Sequence, residues 1–338
     1  MSIHRDGPMS IHILYVDPAR VYSEIRLAED RVLYKELTAS IVRRGAATAG
    51  VNGGFFMVSG KYAGEPDGFF ALNGRVLSEP VHTRSAFGIC GSGGSQRGLI
   101  GRPKWSATVE IKGRTFQVAG INRERRKGEI ILYRREFGLQ TPRDADARDL
   151  IIAGGLVVDS VKGGATRFPE DGYILSGASA DWLSATEFLK LGDSVNFQES
   201  VMELAQESAS FDLAQCSYSS AGPRLVRDGH AVTDFTNESK GFGKRFSEKR
   251  HPRTAVGIYP DGRWVFLVVD GRQPKISIGM SLTELADYFV SKLGVRDAYN
   301  LDGGGSSTMV VDGVIINSPS DAEGERPVGD AFLFYPIK

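Results

Sequence analysis

The segment NLDGGGSSTM (300–309) sets a single carboxylate, Asp302, between an apolar run and three glycines followed by three hydroxyl side chains. Consecutive glycines raise the entropy cost of folding, so they occur where another group approaches the backbone closely or where φ is positive. A hairpin turn accounts for one or two glycines but leaves the hydroxyls unexplained. Exposed amides in such a loop can receive an anion. The positions predicted to contact substrate in this loop are Gly303, Gly304, Ser306 and Ser307.

A second carboxylate belongs to the segment 251–274, which reads as a hairpin with Pro-Asp-Gly at 260–262 as its turn. Antiparallel partners at equal distances from a turn face each other, which brings Arg253 near Asp270. A weak surface ion pair is the ordinary interpretation of such a pair. Together with Asp302, however, the two residues predict a polar cleft at one edge of a sheet.

The upstream segment VNGGFF (51–56) interrupts an apolar strand with an Asn and two glycines. Asn52 could donate a hydrogen bond to a sugar hydroxyl or a phosphate oxygen, with the following phenylalanines as a stacking face. An Asn-Gly turn followed by core phenylalanines is an equally good interpretation of this motif alone. The role of Asn52 therefore stays open at this point.

These residue types favour one chemistry. Arginine, loop amides and hydroxyls bind phosphate, and carboxylates flank the anomeric carbon in glycoside cleavage. A sugar linked through phosphate combines both demands, and its phosphate leaving group needs charge stabilisation more than general-acid help. We expect Asp302 to act as nucleophile or base, Asp270 as second carboxylate or water-positioning group, and Arg253 as the phosphate ligand.

The elements that position these residues are mostly short runs of β-branched and aromatic residues bounded by Gly, Asp, Asn or Pro. They predict an α+β fold of mixed, largely antiparallel sheets covered by a few helices. Ser281 and Glu284 form a capping-box pattern at the start of one predicted helix, and Gly294 ends it. The predicted helices cover residues 37–45, 180–192 and 281–294. The predicted strands cover residues 9–17, 108–121, 129–135, 149–161, 254–260, 263–271 and 308–317.

The domain organisation follows from where the glycine-rich motifs lie. They occur before and after residues 102–205, a strand-like segment that we interpret as an inserted β-rich lobe preceded by the linker-like stretch 91–98. Residues 1–8 are expected to form a flexible tail, and residues 9–338 a single domain.

Composition and residue spacing argue against several classes of protein. The 41 basic and 41 acidic residues cancel, so no global field favours nucleic acid. No apolar stretch is long enough to span a membrane, and residues 1–14 lack the apolar core of a signal peptide. The five histidines show no metal-ligand spacing, so the sequence predicts no cofactor and assigns no metal ligand, while a divalent cation stays open. Cys90 and Cys216 allow one bridge or two buried thiols.

The strings RTAVGI, LVVDGR, GMSLTELA, LGVRDAYNLDGGGSSTMV and ERPV, with VNGGFF and GPRLV upstream, resemble the phosphodiester glycosidase family. The resemblance begins near residue 12 and is strongest over residues 251–336. It implies hydrolysis of an N-acetylglucosamine phosphodiester at the sugar C1, with cell-surface or extracellular polysaccharide as the substrate of bacterial members. The positions that match the family's active site are Asn52, Arg84, Arg253, Asp270, Asp302, Ser306 and Arg326.

The resemblance also implies an exported protein, secreted, periplasmic or at the cell surface, which we reconcile with the missing signal peptide by taking the chain as a mature form. An exported habitat implies a Cys90–Cys216 disulfide. Gly329 and Asp330 stand where relatives often carry Ser and Asn, which leaves the substrate open.

Two other functions remain as alternatives. The same fold could serve as a non-catalytic glycan-binding module, because fold does not fix function. A metal-dependent phosphodiesterase that cleaves P–O would use Asp270 and Asp302 as ligands for a hard cation.

Overall fold

The structure is a computed structural model that describes residues 2–4, 7–81, 83–203, 215–238 and 243–337. Most described residues lie in short strands, and nearly all paired strands run antiparallel. The strands are β1 (Ser2–His4), β2 (Gly7–Met9), β3 (Ile11–Val16), β4 (Val21–Leu27), β5 (Ala49–Asn52), β6 (Phe70–Leu72), β7 (Arg75–Ser78), β8 (Ala86–Cys90), β9 (Arg97–Gly101), β10 (Pro103–Ile111), β11 (Arg114–Val118), β12 (Gly120–Ile121), β13 (Ile130–Tyr133), β14 (Arg143–Ala153), β15 (Leu156–Gly164), β16 (Tyr173–Gly177), β17 (Asn196–Glu203), β18 (Cys216–Ser220), β19 (Arg224–Arg227), β20 (His230–Ala231), β21 (Arg253–Ile258), β22 (Trp264–Val269), β23 (Asp297–Asn300), β24 (Met309–Val311), β25 (Val314–Ile315) and β26 (Asp330–Pro336).

A small number of helices covers the sheets, so the predicted α+β class is confirmed. The α-helices are α1 (Thr38–Arg44), α2 (Ala180–Glu187), α3 (Lys244–Glu248) and α4 (Leu282–Tyr288). Residues Phe289–Leu293 extend α4 as a π-helical turn. Short 3₁₀ turns cover Ala28–Asp30, Gly93–Ser95, Arg135–Phe137 and Gly304–Ser306.

Helix α4 begins and ends as its sequence pattern predicts. The Ser281 hydroxyl accepts a hydrogen bond from the Glu284 amide, and the Glu284 carboxylate accepts one from the Ser281 amide. Gly294 ends the segment in the left-handed conformation, with φ of 65°. This pairing satisfies amides that a helix start leaves free, so the boundary lies where the capping box places it. The helices predicted over 37–45 and 180–192 correspond to α1 and α2, and α3 was not predicted.

Three sheets enclose the main core. Their strand orders are β20-β19-β23-β21-β22-β3, β25-β24-β5-β26-β4 and β7-β6-β18-β8-β9. The rings of Phe87, Phe266 and Phe332, one from each sheet, meet with centroids 5.4 to 6.0 Å apart. Helix α4 covers the outer face of the first sheet, and α1 covers the outer face of the second. Buried aromatic contacts of this kind fix the sheets relative to one another.

The predicted hairpin over residues 251–274 is present as β21 and β22. Arg253 faces Val269 across the hairpin, one residue before Asp270. Strand β23 pairs with the other edge of β21, so its end at Asn300 lies near the start of β21. Strand β5 pairs with β26 in the same way, with Asn52 opposite Ala331. The ends of β21, β22 and β23 in one sheet thus lie near the ends of β5 and β26 in another, and the Asp302 amide after β23 donates to the Gly53 carbonyl after β5.

Two further sheets are built only from strands within residues 103–203. Their orders are β11-β10-β17 and β12-β13-β16-β14-β15, and the β12–β13 pair is parallel. They share a core that includes Trp182 of α2. The predicted lobe of 102–205 stays an interpretation of this segment. At the N-terminus, β1 and β2 form a short hairpin where the sequence predicts a flexible tail.

Cys90 and Cys216 are directly opposite each other on β8 and β18 and form a disulfide. Their Cα atoms are 4.0 Å apart. The bridge closes a loop of the chain that contains residues 103–203, because the two cysteines lie on either side of that segment, 126 residues apart in sequence.

Candidate active site

A cavity of 270 Å³ lies where the strand ends meet, and Asp302 is in its wall. Its wall combines three aromatic rings, three arginines, a histidine and two aspartates. The lining residues are Phe55, Phe56, Val58, Asp67, Phe246, His251, Arg253, Arg272, Asp302, Gly303, Gly304 and Arg326.

The backbone of Asp302 is fixed by residues at the end of β5. Its amide donates to the Gly53 carbonyl at 3.0 Å, and its carbonyl accepts from the Asn52 side-chain amide at 2.8 Å. The Asn52 side-chain oxygen accepts from Thr254 Oγ1 at 2.8 Å and from the Thr308 amide at 3.1 Å. Asn52 is fully buried and is not part of the cavity wall. Its side chain therefore holds both ends of the loop that carries Asp302.

The Asp302 carboxylate is only partly accessible and makes no ion pair within the described residues. Its Oδ1 accepts a hydrogen bond from the Gly303 amide at 3.0 Å. Burial raises its pKa to about 6, although the Ser306 hydroxyl, the Arg326 charge and the Gly303 amide act in the opposite direction. The Ser306 hydroxyl acts as a nearby dipole, since it forms no full hydrogen bond with any described group. A carboxylate in this state is ionised at neutral pH and poorly solvated.

The glycines after Asp302 let cationic groups approach the loop. A Cβ on Gly304, whose φ is 65°, would lie 3.0 Å from Arg272 Nη2, and one on Gly303 would lie 2.8 Å from the Pro252 carbonyl. A Cβ on Gly305 would clash with the ion pair of Asp321 and Arg326. A side chain at these positions would displace Arg272, the Pro252 backbone or the Asp321–Arg326 pair.

The Ser306 and Ser307 side chains are buried, and neither hydroxyl has a hydrogen-bond partner within the described residues. Neither residue is part of the cavity wall, whereas Gly303 and Gly304 are. A buried hydroxyl without a partner costs free energy, so these two groups are available to a ligand atom or a water molecule.

Arg253 is 2% exposed, and its guanidinium makes no ion pair with any described carboxylate. Its Nε donates to the Met280 carbonyl at 2.9 Å, and one terminal nitrogen donates to Phe246 and Lys249 carbonyls at 2.7 and 3.1 Å. Burial and the charge of Arg272 lower its pKa to about 10. The charge is thus held by neutral carbonyls and remains uncompensated.

Two other arginines share this cavity. Arg272 follows Asp270 and Gly271 on an exposed turn, and no described residue forms a hydrogen bond or ion pair with its guanidinium. Arg326 is paired with Asp321 through Nε at 2.8 Å and Nη2 at 2.7 Å. Arg253 and Arg272 therefore give the cavity an excess of positive charge.

His251 presents a fixed tautomer to the same cavity. Its Nε2 lies 3.2 Å from the Arg245 carbonyl, which can only accept, so Nε2 carries the hydrogen and Nδ1 carries a lone pair. Nδ1 is buried and has no partner in the described chain. Burial and the charges of Arg253, Arg272 and Arg245 lower the pKa of His251. The ring is therefore neutral near pH 7 and can accept a proton.

Arg84 lies behind the cavity wall. Its Nη1 donates to the Asp67 carbonyl at 2.6 Å, and its Nη2 donates to Asp67 Oδ2 at 3.2 Å. The guanidinium also stacks over Phe55 at 5.6 Å from the ring centroid. Asp67, which it orients, is the second carboxylate of the cavity wall.

Asp270 is not part of the cavity wall. Its Oδ2 lies 3.0 Å from His12 Nε2, and its Oδ1 accepts from Asn317 Nδ2 at 3.0 Å and the Ser318 amide at 2.9 Å. Burial would raise its pKa, but these hydrogen bonds lower it below the usual range. The contacts join β3, the end of β22 and the loop after β25.

Asp330 is a buried carboxylate close to Asp302. Its Oδ1 accepts from the Gly54 amide at 3.1 Å, and its Oδ2 accepts from Ser219 Oγ at 2.8 Å. Burial, with a smaller contribution from the charge of Asp302, raises its pKa to about 7, although the hydrogen bonds from Ser219 and Gly54 act in the opposite direction. It is 2% exposed, and no described cation forms an ion pair with it.

The sequence analysis did not select His251, Arg272, Asp67, Phe246 or Asp330 as site residues. His251 and Arg272 flank the two strands of the predicted hairpin, so its register could have indicated both. Asp330 begins an apolar strand that pairs with the start of VNGGFF. Only this pairing, which the sequence does not reveal, brings Asp330 close to the site. No local pattern marks Asp67, which lies in a loop, or Phe246, which lies in helix α3.

Within the described ranges, no group of three or more His, Cys, Asp or Glu side chains is arranged to hold a metal ion. None of the helices there has the length and apolar content needed to cross a bilayer.

The sequence profile of the phosphodiester glycosidase family matches residues 147–335. The N-acetylglucosamine-1-phosphodiester alpha-N-acetylglucosaminidase of Bos taurus is 37% identical over 100 residues, which are 30% of this chain and 18% of that protein. The SPbeta prophage-derived protein YomE of Bacillus subtilis (strain 168) is 39% identical over 87 residues, 26% of this chain and 13% of its own length. The chain thus matches less than a fifth of either relative.

A solved structure resembles the whole chain. It is a protein of Burkholderia pseudomallei K96243, provisionally classed as exported, with a TM-score of 0.83 and 27% identity over 98% of this chain and 74% of that chain.

Proposed function

The chain belongs to the phosphodiester glycosidase family, and on that premise we propose that it hydrolyses the C1–O bond of a sugar 1-phosphodiester. The observation that carries this proposal is the charge pattern of the 270 Å³ cavity. Two guanidinium groups without carboxylate partners, those of Arg253 and Arg272, face one unpaired carboxylate, Asp302. A phosphodiester monoanion next to an anomeric carbon complements that pattern.

Arg253 and Arg272 bind the phosphate. Neither charge has a carboxylate partner within the described residues, and arginine forms strong paired hydrogen bonds to phosphate oxygens. When C1–O breaks, the departing phosphate monoester gains negative charge. Arginines already fixed in place stabilise that charge without reorganisation, which lowers the barrier for departure.

Asp302 acts at the sugar carbon. Its carboxylate either attacks C1 or takes a proton from the water that attacks C1. In both cases water supplies the hydroxyl of the free sugar, and the phosphate leaves as a monoester of the second partner. The lone pair on His251 Nδ1 is a further proton acceptor in the same wall, and Asp67 is the other carboxylate.

Three of the sequence-predicted residues have positioning roles in this proposal. Asn52 fixes the Asp302 backbone, Arg84 orients Asp67, and Asp270 joins the segments around the end of β22. Arg326 acts from a fixed position beside Asp321 and stabilises the ionised form of Asp302. The unpartnered hydroxyls of Ser306 and Ser307 are available for sugar hydroxyls or water.

The sugar is of the N-acetylglucosamine type, and the second partner is a cell-surface or extracellular glycan. The bovine relative is named for an N-acetylglucosamine phosphodiester, which supports the first part. The disulfide and the likeness to a protein classed as exported support a location outside the cytoplasm.

The test is a panel of sugar 1-phosphodiesters that differ in the sugar and in the alcohol, with release of free reducing sugar as the measurement. We expect turnover with an N-acetylglucosamine donor by the wild-type protein and turnover at least ~10²-fold lower by Asp302→Asn. A folded protein that binds these compounds and releases no sugar from any of them would contradict the proposal and favour a glycan-binding role.

A further inference from the structure

A second cavity, with a volume of 970 Å³, lies in the lobe formed by residues 103–203. Its walls are the loop at residues 125–128, the start of β14 and one face of α2 that includes Ala180 and Leu183. We call this cavity the lobe cleft. It shares no lining residue with the cavity around Asp302.

Arg148 is a buried cation in the wall of the lobe cleft. The residue is 8% exposed, and its guanidinium forms no hydrogen bond or ion pair within the described part of the chain. Burying a charge without a partner is costly unless something else compensates it. An anion bound in the cleft would supply the missing partner.

The pairing of β14 with β15 brings a second positive charge next to Arg148 in the wall of the cleft. The register moves from Arg143 opposite Gly164 to Arg148 opposite Lys162, so residues 144–147 bulge out of β14. Bulges redirect side chains and are common beside binding sites. Arg148 and Lys162 are directly opposite partners that both line the cleft, and Lys162 is exposed without an ion pair to any described residue. Like charges in such a pair destabilise a sheet unless an anion lies between them.

The other charges around the cleft leave it positive. Among the lining residues, Arg125 is paired with Asp144, while Arg126 and Lys127 are exposed cations. The remaining acidic groups that line the cleft are Asp146 and Glu187. Five basic residues therefore face three acidic ones, in a chain whose charges balance overall.

Helix α2 adds to the positive potential. Ser179 caps it, and Ala180 in its first turn lines the cleft, so the positive end of the helix dipole lies at the wall. No lining residue of the cleft is aromatic, so the cleft offers charge rather than a stacking face for a sugar ring.

We propose that the lobe cleft is a second, non-catalytic site that binds a phosphate-type oxyanion, with Arg148 and Lys162 as its direct ligands. Its volume exceeds that of one phosphate ion, which leaves room for a molecule that carries the anion. The anion is therefore either a free phosphate or a phosphate group on a sugar. This inference does not depend on the hydrolytic activity.

The test follows thermal unfolding in inorganic phosphate, pyrophosphate or glucose 1-phosphate, with ionic strength held constant by sodium chloride. Binding to the folded state raises Tm. The proteins are wild type, Arg148→Gln, Lys162→Gln and Arg114→Gln. Arg114 is an exposed arginine of the same lobe, paired with Asp181 and absent from the cleft wall, so it is the matched control. Each variant is also made with Arg272→Ala, which weakens anion binding at the other cavity.

We expect pyrophosphate to raise the Tm of wild type and Arg114→Gln alike, and both cleft variants to need at least tenfold more anion for the same rise. At the same anion concentration, the amide NMR signals of Ala180 and Leu183 should shift in wild type and Arg114→Gln, and much less in the two cleft variants. Without anion, Arg148→Gln should be as stable as wild type or more stable, because it removes an unpaired buried charge. Tighter binding of glucose 1-phosphate than of inorganic phosphate would identify the ligand as a phosphate group on a sugar. Equal binding of the two would identify the free anion.

An anion response of Arg148→Gln equal to that of Arg114→Gln would overturn the proposal, as would the absence of any response in wild type. If Arg148→Gln does not fold, Lys162→Gln decides, since its side chain is exposed and its replacement leaves the core intact.

Discussion

Arg253 and Arg272 line the same cavity, and neither guanidinium is paired with a carboxylate in the described residues. Their proximity contributes, after burial, to a pKa of about 10 for Arg253. Two like charges held together without a bound anion destabilise the folded protein, because repulsion and desolvation both oppose folding. The pair therefore indicates the substrate's charge more directly than any single motif does.

Replacing Arg272 with Ala should raise KM and lower kcat for a phosphodiester substrate. The guanidinium contacts phosphate in the ground state and stabilises the leaving phosphate in the transition state. A charge-assisted hydrogen bond contributes about 1.5 to 3 kcal/mol, so kcat/KM should fall by about 10- to 100-fold. Steady-state kinetics measure both effects.

Arg263→Ala is the matched control, since Arg263 is an exposed arginine near the turn of the same hairpin, paired with Asp261. Arg253→Ala should show the same kinetic direction and also lower Tm, because Arg253 bonds three backbone carbonyls. Kinetics of Arg272→Ala that match those of Arg263→Ala would remove the phosphate role.

The rate should fall in acid as Asp302 is protonated. Burial raises the pKa of this group to about 6, and only its ionised form can attack C1 or accept a proton. We therefore expect kcat/KM to be constant above that pH and to drop about tenfold per pH unit below it. A pH profile with circular dichroism at each point separates titration from unfolding. A flat profile down to pH 4.5 would show that Asp302 does not act as a base or nucleophile.

His251→Gln tests the lone pair on Nδ1. The Gln side-chain amide can still donate to the Arg245 carbonyl, so folding should persist while the proton acceptor is lost. Loss of general-base assistance lowers kcat by about 10²-fold or more. His230, an exposed histidine, provides the control substitution His230→Gln. Equal rates for the two variants would mean that His251 only shapes the cavity.

Asp330→Asn should stabilise the protein at high pH and not at low pH. Burial raises the pKa of Asp330 in the folded state to about 7, whereas an unfolded Asp titrates near ~3.9. Between these values the folded state holds a proton that the unfolded state has released, so stability decreases as pH rises through this window. Asn keeps an acceptor for Gly54 and cannot ionise.

The expected gain for Asp330→Asn at pH 8 is on the order of 2 to 4 kcal/mol in the free energy of unfolding. At pH 4 the difference should be close to zero. Urea unfolding at both pH values measures it, with Asp312→Asn in an exposed turn as the control. An equal effect at both pH values would show that Asp330 is not held protonated near neutral pH.

The elements around the site could be predicted because each has a local cause. The capping box fixes the start of α4, and the Pro-Asp-Gly turn fixes the register that sets Arg253 opposite Val269, one residue before Asp270. Local sequence does not show which polar atoms form hydrogen bonds with residues of other segments. Asp270 is a strand-end carboxylate like Asp302, yet His12, Asn317 and Ser318 occupy both its oxygens.

The same limit applies to the three glycines of the Asp302 loop. Their sequence indicates a close approach, and the structure identifies what approaches: Pro252, Arg272 and the Asp321–Arg326 pair. These groups come from three separate segments, so only the tertiary fold could name them. Asn52 is a comparable case, because a polar group within an apolar strand does not reveal whether it faces ligand or backbone.

The central claim is that water attacks the sugar carbon with the help of Asp302. Hydrolysis of an N-acetylglucosamine 1-phosphodiester in ¹⁸O-water, with wild type and Asp302→Asn compared, tests it most directly by mass spectrometry of both products. We predict the label in the released sugar and not in the phosphate monoester, and turnover at least ~10²-fold lower in a folded Asp302→Asn. Label in the phosphate, or near-normal turnover by Asp302→Asn, would contradict the account.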